Sequence, residues 1–472
     1  MKRSITFSLL LLPLFHFCAQ APVDHHITPC PCSEWPNWED REGVTCHYLT
    51  VPEDHDNPSG KSIRIAFAIF RGKGADAGNI PTIYLTGGPG GRALGSTDRW
   101  YDHELRSLGD LIIVDQRGIG LSSPLPDVAE RTFRILADDL SAAEERARTW
   151  EVMQANAREI REAGIDVTRY NSTQNARDFG MLMEALDYDQ YHLYGSSYGT
   201  RLAAGIMRDF PERVHAAILN GPANLDGKAL EGRFPNLIRA LHKLYDACAQ
   251  DPDCNATYPD LQATLLEGLA GLAAEPLVVQ LGGIDYAINP QDAVYLLRYL
   301  LYRSSGFETA PPYIYAIRDR DVAKVQELAR GPMQFVRAPG ITVFYAFQAY
   351  EEWSDATPAA VEAAMEAAPE LAYGLAWFQA FIPHLGTWSR ARATQAEQTF
   401  RGIRVPALVI VNEYDPVTPP HHTRMFEEAI NACQVIRLNQ FGHGAGGDCV
   451  FEIIRAFLKD PHDPIDRTCL EE

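Results

Sequence analysis

The pentapeptide G-S-S-Y-G at 195–199 constrains the fold of this chain more than any other feature. It follows the apolar, strand-like run 190–194 and leads directly into a helix-forming stretch at 200–208. A G-x-S-x-G sequence between a strand and a helix forms a sharp turn, and its glycines let the chain segments behind it come close. Such a turn lifts the hydroxyl of Ser197 clear of a sheet, at the positive end of a helix. The pattern predicts an α/β architecture with Ser197 as a candidate nucleophile.

Strand-like apolar runs alternate with helical stretches on both sides of this turn. The runs lie at 62–70, 80–85, 111–114, 190–194, 215–219, 406–411 and 434–438. The run 111–114 is apolar throughout, as expected for a strand covered on both faces. Alternation of this kind indicates a mostly parallel sheet with helices on both sides.

The pattern changes between about 223 and 400, where Ala- and Leu-rich helical stretches replace the buried strands. We therefore predict an α/β core in two parts, 51–222 and 401–472, interrupted by a large inserted helical cap domain over 223–400. Residues 22–50 are rich in Pro, His, Cys and Trp and are predicted to form an irregular N-terminal arm.

Two loops downstream of the turn supply the other groups that a nucleophilic serine needs. An imidazole takes the proton of the hydroxyl, and a carboxylate orients the imidazole. Asp415 and His443 each follow one of the last two strand-like runs, which gives the chain order serine, acid, histidine. We predict a catalytic triad of Ser197, Asp415 and His443, with Glu413 as the alternative carboxylate.

The glycine-rich segment T-G-G-P-G-G at 86–91 follows another strand-like run. Backbone N–H groups aimed at developing negative charge form an oxyanion hole. We predict that the amides of Gly88 and Tyr198 serve as its donors. A phosphate-binding loop is the alternative, but Pro89 removes a donor and no Lys-Ser/Thr pair follows.

The net charge limits the possible binding partners of the protein, and the N-terminal sequence indicates its location. The net charge of −20 argues against a nucleic-acid partner, which requires a basic face. A basic pair precedes the apolar run 5–17, which is too short to span a membrane and suits a signal-peptide core. We predict a signal peptide over 1–21, export to the periplasm or the medium, and no membrane span. Bulky residues before Cys18 disfavour a lipid anchor there.

Eight of the nine cysteines lie beyond this segment. An even number of cysteines in an oxidising compartment predicts disulfide bonds. Cys248 and Cys254 close a short loop, while Cys433 and Cys449 flank a strand-like run and the histidine loop. We predict these two pairings and leave the others open.

The sequence predicts no metal site and no organic cofactor. The Cys30-x-Cys32 spacing differs from the usual C-x₂-C of metal sites, and no second cluster completes it. The sequence also contains no H-E-x-x-H motif, EF-hand loop or dinucleotide-binding fingerprint.

Taken in order, these motifs resemble the serine aminopeptidases of the α/β-hydrolase superfamily, which include proline iminopeptidases and exported tripeptidyl aminopeptidases. The matching segments are Cys46-x₄-Val51-Pro52, G-G-P-G at 87–90, D-Q-R-G at 115–118, 195–200, 415–419, and 442–444 followed by Cys449. The resemblance spans nearly the whole mature chain. It implies an α/β-hydrolase fold, the same triad, a helical cap over the site, and cleavage of peptides at a free N-terminus.

The resemblance also suggests where a substrate's ammonium group would bind. In this family a Cys-x-Glu stretch in the cap looks like the source of the required anion. Here F-Q-A-Y-E at 347–351 occupies that place, with Ala349 in place of the cysteine. Glu351 is the first candidate for amine binding and Glu352 the second.

We therefore predict an exported serine exopeptidase that removes residues or short peptides from free peptide N-termini. The alternative is a carboxylesterase or other acyl hydrolase that uses the same triad on small esters. Aromatic cap residues such as Phe344, Tyr345, Trp377 and Phe378 suit either kind of pocket. A non-catalytic binding protein is least favoured, because all parts of a hydrolytic site are present.

Overall fold

The computed structural model describes residues 27–74, 79–375 and 378–470. The predicted signal peptide with Cys18, and Trp377 in the cap, lie outside these ranges. Within them, no helix has the length and the apolar character needed to cross a membrane.

The described ranges contain eleven β-strands. They are β1 Ile27–Cys30, β2 Val44–Pro52, β3 Ser62–Phe70, β4 Thr82–Leu85, β5 Leu111–Val114, β6 Tyr191–Ser196, β7 Val214–Asn220, β8 Leu277–Leu281, β9 Ile284–Ile288, β10 Ala407–Asn412 and β11 Cys433–Leu438. Nine of them form one sheet in the order β1-β2-β3-β5-β4-β6-β7-β10-β11, and β8 and β9 form a separate hairpin.

The α-helices in the same ranges flank the sheet or build the insertion between β7 and β10. They are α1 Asp98–Tyr101, α2 Ala129–Ala137, α3 Ala142–Glu162, α4 Ser172–Ala185, α5 Tyr198–Asp209, α6 Ala229–Gln250, α7 Pro252–Thr257, α8 Leu261–Ala274, α9 Pro290–Leu301, α10 Gly306–Arg318, α11 Val322–Val336, α12 Ile341–Phe347, α13 Thr357–Glu366, α14 Phe378–Phe381, α15 Leu385–Trp388, α16 Thr423–Ala429 and α17 Asp448–Lys459. Helices α6 to α15 belong to the insertion.

The sheet is mostly parallel, as predicted. Strands β4, β5, β6, β7, β10 and β11 pair in parallel, while β1, β2 and β3 pair antiparallel at one edge. Successive residues of a strand point to opposite faces. Accordingly, Ala217 and Leu219 of β7 pack in the layer with α5, while Ala216 and Ile218 pack with α17. Both faces are therefore covered, and β5 and β10 are buried at every residue.

Two expectations about regular structure need correction. The arm at 22–50 is not irregular throughout, because β1 and β2 extend the sheet at its antiparallel edge. A Cys32–Cys46 disulfide joins β2 to the segment between the two strands. The cap is not purely helical, because it contains the β8–β9 hairpin. The turn of this hairpin consists of Gly282 and Gly283, both at positive φ. A Gly-Gly pair is a sequence signal for a hairpin, but here it lies between helical stretches.

The disulfide predictions are half right. The Cys248–Cys254 bond is present. The Cys433–Cys449 pairing is wrong, because Cys449 bonds to Cys469 and Cys433 remains a free thiol. The reason lies in the C-terminal segment, which returns to α17 and packs Leu470 in the same apolar layer, bringing Cys469 to the start of that helix.

Candidate active site

Ser197 occupies the sharp turn between β6 and α5. Its backbone has φ 54° and ψ −124°, a conformation that L-residues with side chains rarely adopt. A Cβ on Gly195 would lie 2.5 Å from the carbonyl oxygen of Gly199, and a Cβ on Gly199 would collide with the carbonyl oxygen of Leu85. Both glycines are therefore required by close backbone approach, and the turn presents Ser197 at the N-terminus of α5.

Asp415 and His443 lie on neighbouring loops and contact each other. Nδ1 of His443 is 2.8 Å from Oδ2 of Asp415, which is completely buried. The carboxylate also accepts hydrogen bonds from the backbone N–H groups of Val417 and Thr418 and from the Thr418 hydroxyl. Burial opposes ionisation of Asp415, but the charge of His443 and these hydrogen bonds together hold its pKa below the usual value. The carboxylate is thus ionised and holds the imidazole in one orientation.

Asn220, at the end of β7, connects the serine loop to the histidine loop. Its carbonyl oxygen accepts a hydrogen bond from Ser197 N at 2.9 Å. Its side chain makes two hydrogen bonds with the backbone of Ala445, at 2.7 and 2.8 Å. Nε2 of His443 is buried and has no hydrogen-bond partner among the described residues. This nitrogen therefore remains available to a serine hydroxyl, an interaction that often tightens only when substrate binds.

The alternative carboxylate does not share this position. The side chain of Glu413 forms an ion pair with Lys243 Nζ at 2.7 Å, and both groups are about one-third exposed. Among the described residues, Asp415 is the carboxylate in contact with His443.

The glycine-rich loop lies directly against the nucleophile. A Cβ on Gly87 would lie 2.8 Å from Cβ of Ser197, so this approach also requires glycine. Gly88 has φ 120°, and it lines the same cavity as Ser197 and Tyr198. The two predicted oxyanion donors thus border the space in front of the serine.

The cavity in front of Ser197 has a volume of about 620 Å³, counting the part that opens to solvent. The core contributes the serine, the glycine loop and His422, whose ring is buried. The cap contributes Arg233 from α6, Arg298 from α9 and Glu352. Sequence reasoning missed both cap arginines. They lie in ordinary amphipathic helices with no motif around them, so no local signal distinguishes them from surface charges.

The two candidate amine-binding residues have different surroundings. Both belong to a short π-helix, Gln348–Glu352, an element that is frequent at functional sites. Glu351 accepts hydrogen bonds from Ser172 N and Oγ at 2.5 and 2.8 Å, and it forms a buried ion pair with Arg201 Nε at 3.0 Å. Its oxygens are therefore already engaged, and Glu351 does not line the cavity.

Glu352 lines the cavity instead. Its Oε2 accepts a hydrogen bond from Ala229 N at 2.7 Å, which caps α6, and Oε1 has no hydrogen bond among the described residues. Burial raises the pKa of Glu352 to about 7; the charge of Glu351 adds to this rise, whereas those of Arg201 and Arg233 oppose it. The carboxylate is thus poised between its neutral and charged forms near neutral pH.

The cap is attached to three of the loops around the site. Arg239 of α6 donates hydrogen bonds to the carbonyl oxygens of Glu413 and Asp415 at 2.9 and 2.6 Å. His443 N donates to the carbonyl oxygen of Tyr302 at 2.9 Å, and the two rings lie 4.5 Å apart. The backbone of Gly340 meets that of Gly90 in the glycine loop. No group of three or more His, Cys, Asp or Glu side chains in the described ranges is arranged to hold a metal ion.

The sheet order, the turn that carries Ser197 and the loops around it define an α/β hydrolase. The family model described as alpha/beta hydrolase fold matches residues 81–305, and a second model, described as TAP-like protein, matches residues 373–469. The chain therefore has the fold of the α/β-hydrolase superfamily. Its predicted resemblance to the serine aminopeptidases of that superfamily is confirmed by the curated relatives.

Those relatives are peptidases by name. The chain is 28% identical over 201 residues to the tripeptidyl aminopeptidase of Streptomyces lividans, which covers 40% of this chain and 37% of the relative. It is 28% identical over 239 residues to the serine protease Hip1 of Mycobacterium tuberculosis, which covers 48% of this chain and 45% of the relative. It is 25% identical over 162 residues to a proline iminopeptidase of Arabidopsis thaliana, which covers 34% of this chain and 32% of the relative. The matched regions thus span less than half of each relative.

Proposed function

We propose that this protein is an exported serine aminopeptidase that removes residues or short peptides from free peptide N-termini. The observation that carries the proposal is the cavity shared by Ser197 and the buried carboxylate of Glu352. A nucleophilic serine serves any acyl hydrolase, but an exopeptidase also needs an anion that holds the substrate's ammonium group. The named activities of the relatives point in the same direction.

The proposed reaction begins when Ser197 Oγ attacks the carbonyl carbon of the scissile peptide bond and its proton passes to Nε2 of His443. Asp415 holds Nδ1–H of the imidazole and stabilises the cation that forms. The backbone amides of Tyr198 and Gly88 donate hydrogen bonds to the oxyanion. Collapse of this intermediate breaks the C–N bond, and the leaving amine takes the proton from His443. A water molecule then attacks the acyl-enzyme and gives a proton to His443. His443 passes this proton to Ser197 Oγ as the ester bond breaks.

Glu352 is the proposed direct ligand of the substrate's ammonium group, through Oε1. Binding of a cation favours the charged form of a carboxyl group and lowers its pKa. Binding of the ammonium therefore shifts Glu352, whose pKa is about 7 in the free protein, toward its ionised form. Glu351, the first candidate from the sequence, takes a supporting role in this proposal, because its carboxylate holds Arg201 and Ser172.

Export and the domain division are parts of the same proposal. Three disulfides in the described ranges suit an oxidising compartment. We propose a signal peptide over 1–21, an arm over 22–50, a core over 51–222 and 401–472, and a cap over 223–400. N-terminal sequencing of the protein recovered from periplasm and medium tests the first boundary. A mature chain that retains residue 1 would contradict it.

The test of activity uses the oxidised mature protein. Release of a chromophore is compared for prolyl, alanyl and tripeptidyl amides, for their N-acetylated forms, and for a short-chain nitrophenyl ester, with Ser197→Ala as the blank. We expect cleavage of the unblocked amides and none of the acetylated ones. Equal cleavage of both would contradict the proposal. Turnover of the ester alone would establish the carboxylesterase alternative.

A further inference from the structure

The cavity in front of Ser197 carries more positive than negative charge. Among its described lining residues, Arg201, Arg233 and Arg298 are cationic and Glu352 is the one carboxylate. Arg201 is balanced by its buried ion pair with Glu351. The described lining therefore carries at most one negative charge, that of Glu352, beside the guanidinium groups of Arg233 and Arg298.

The two cap arginines are held in place by their surroundings. Arg298 is 4% exposed, and its guanidinium carbon lies 5.3 Å from the ring centroid of Tyr299 and 5.6 Å from that of Tyr302. Arg233 Nη2 donates a hydrogen bond to Gln348 Oε1 at 3.3 Å. Since Tyr302 also packs against the ring of His443, Arg298 reaches the side of the cavity where catalysis is proposed.

The electrostatic environment of Arg233 agrees with this count of charges. Burial and the neighbouring charge of Arg298 lower the pKa of Arg233 to about 10, against the opposing effect of Glu352. Two neighbouring guanidinium groups disfavour a further cation directly beside them and attract an anion. Guanidinium groups match carboxylates especially well, because their N–H donors form paired hydrogen bonds in a fixed geometry.

We propose that the cavity selects an acidic residue, aspartyl or glutamyl, on the acyl side of the scissile bond, with its side-chain carboxylate bound by Arg233 and Arg298. The substrate then brings one positive and one negative group, which bind Glu352 and the arginine pair respectively. A lysyl or arginyl side chain would meet like charge in the same place. The inference deepens the aminopeptidase function proposed above and rests on it for the role of Glu352.

The first test needs no variant. Glutamyl and glutaminyl p-nitroanilides differ by the side-chain charge at nearly constant shape, and each is supplied alone and as the third residue of a tripeptide. Charge-assisted hydrogen bonds contribute about 1.5–3 kcal/mol, so we expect kcat/KM to favour the glutamyl substrate by roughly ten- to a hundredfold. The lysyl substrate should be the poorest. Equal kcat/KM for glutamyl and glutaminyl substrates in both lengths overturns the proposal.

The second test assigns the preference to the arginines. Arg298→Gln should reduce the ratio of glutamyl to glutaminyl kcat/KM toward one. Arg303→Gln is the matched control, because Arg303 is an exposed arginine just beyond α9 that does not line the cavity. It should keep the wild-type ratio. Labelling of Ser197 by a fluorophosphonate probe verifies that each variant is folded, and Arg233→Gln replaces Arg298→Gln if the latter is not. An unchanged ratio in a folded Arg298→Gln or Arg233→Gln protein overturns the assignment.

N-acetylated versions of the same substrates separate this inference from the function on which it rests. If blocked and free glutamyl amides are cleaved alike and both exceed their glutaminyl counterparts, the carboxylate preference stands and the aminopeptidase function fails. If only free amides are cleaved, without preference for the acidic residue, the function stands and the inference fails.

Discussion

The α/β core and the inserted cap contribute different parts of the site. The core supplies Ser197, Asp415, His443 and the glycine loop, and each is positioned by backbone geometry at the end of a strand. The cap supplies side chains that carry charge into the cavity, from three separate elements. In the proposed function, the core therefore carries out the reaction, and the cap determines the choice of substrate.

The two regions nevertheless meet at the reacting groups. Arg239 and Tyr302 of the cap hydrogen-bond to the acid and histidine loops, and Gly340 contacts the glycine loop. The position of the cap is thus linked to the arrangement of the proposed triad. Substitutions in each region should distinguish general loss of catalysis from loss of substrate choice.

The largest effect should come from the core. We expect His443→Ala to lower kcat by about 10⁴-fold or more, because loss of the base from a catalytic triad removes the activation of the serine. The loss should be equally large for peptide amides and for any ester that the protein hydrolyses. Steady-state kinetics on both substrate classes measures it. A variant that loses only peptide cleavage would break the distinction between core and cap.

A smaller and selective effect is expected in the cap. Glu352→Gln preserves the size of the side chain and an oxygen that can accept from Ala229 N, but it removes the charge. We expect kcat/KM for free-amine substrates to fall by roughly ten- to a hundredfold, since hydrogen bonds to charged groups contribute about 1.5–3 kcal/mol. The rate of any ester without an amine should stay within a few-fold. Equal losses for both substrates would assign Glu352 a structural role only.

The same substitution should change how stability depends on pH. The carboxyl group of Glu352 has a pKa of about 7 in the folded protein against 4.5 as its ordinary value. Between these pH values the folded state binds more protons than the unfolded state, so this group destabilises the wild type progressively as pH rises from about 4.5 to 7. The free energy of unfolding of Glu352→Gln minus that of wild type should therefore increase by about 1–3 kcal/mol from pH 5 to pH 8. Urea titrations at the two pH values measure it, and a constant difference would contradict the raised pKa.

The contrast between the regions also explains what the sequence could predict. The predicted bounds of β3 and β5 match the observed ones. The residues of β5 are apolar throughout, as in a strand covered on both faces, whereas β3 begins with exposed and buried residues in alternation before its apolar stretch. The turn at Ser197 was recognisable because glycines at 195 and 199 are required by backbone contacts within a few residues. Local constraints of this kind leave a readable pattern in one chain.

Features that depend on distant contacts left no such pattern. Arg233 and Arg298 lie 65 positions apart in the sequence, and they converge because α6 and α9 pack in the same insertion. The Cys449–Cys469 bond depends on the return of the C-terminal segment to α17. Glu351 and Glu352 were both identified from the sequence, but only their contacts with Arg201 and Ala229 distinguish the residue that faces the cavity.

The backbone of Ser197 carries a further consequence. A side-chain-bearing residue at φ 54° and ψ −124° costs on the order of 1–3 kcal/mol, and glycine would adopt this conformation without that cost. Selection for heat resistance alone would therefore favour loss of the reactive hydroxyl. The protein is therefore less stable at this position than a glycine variant would be, and the strained turn is what makes the Ser197 oxygen project from it.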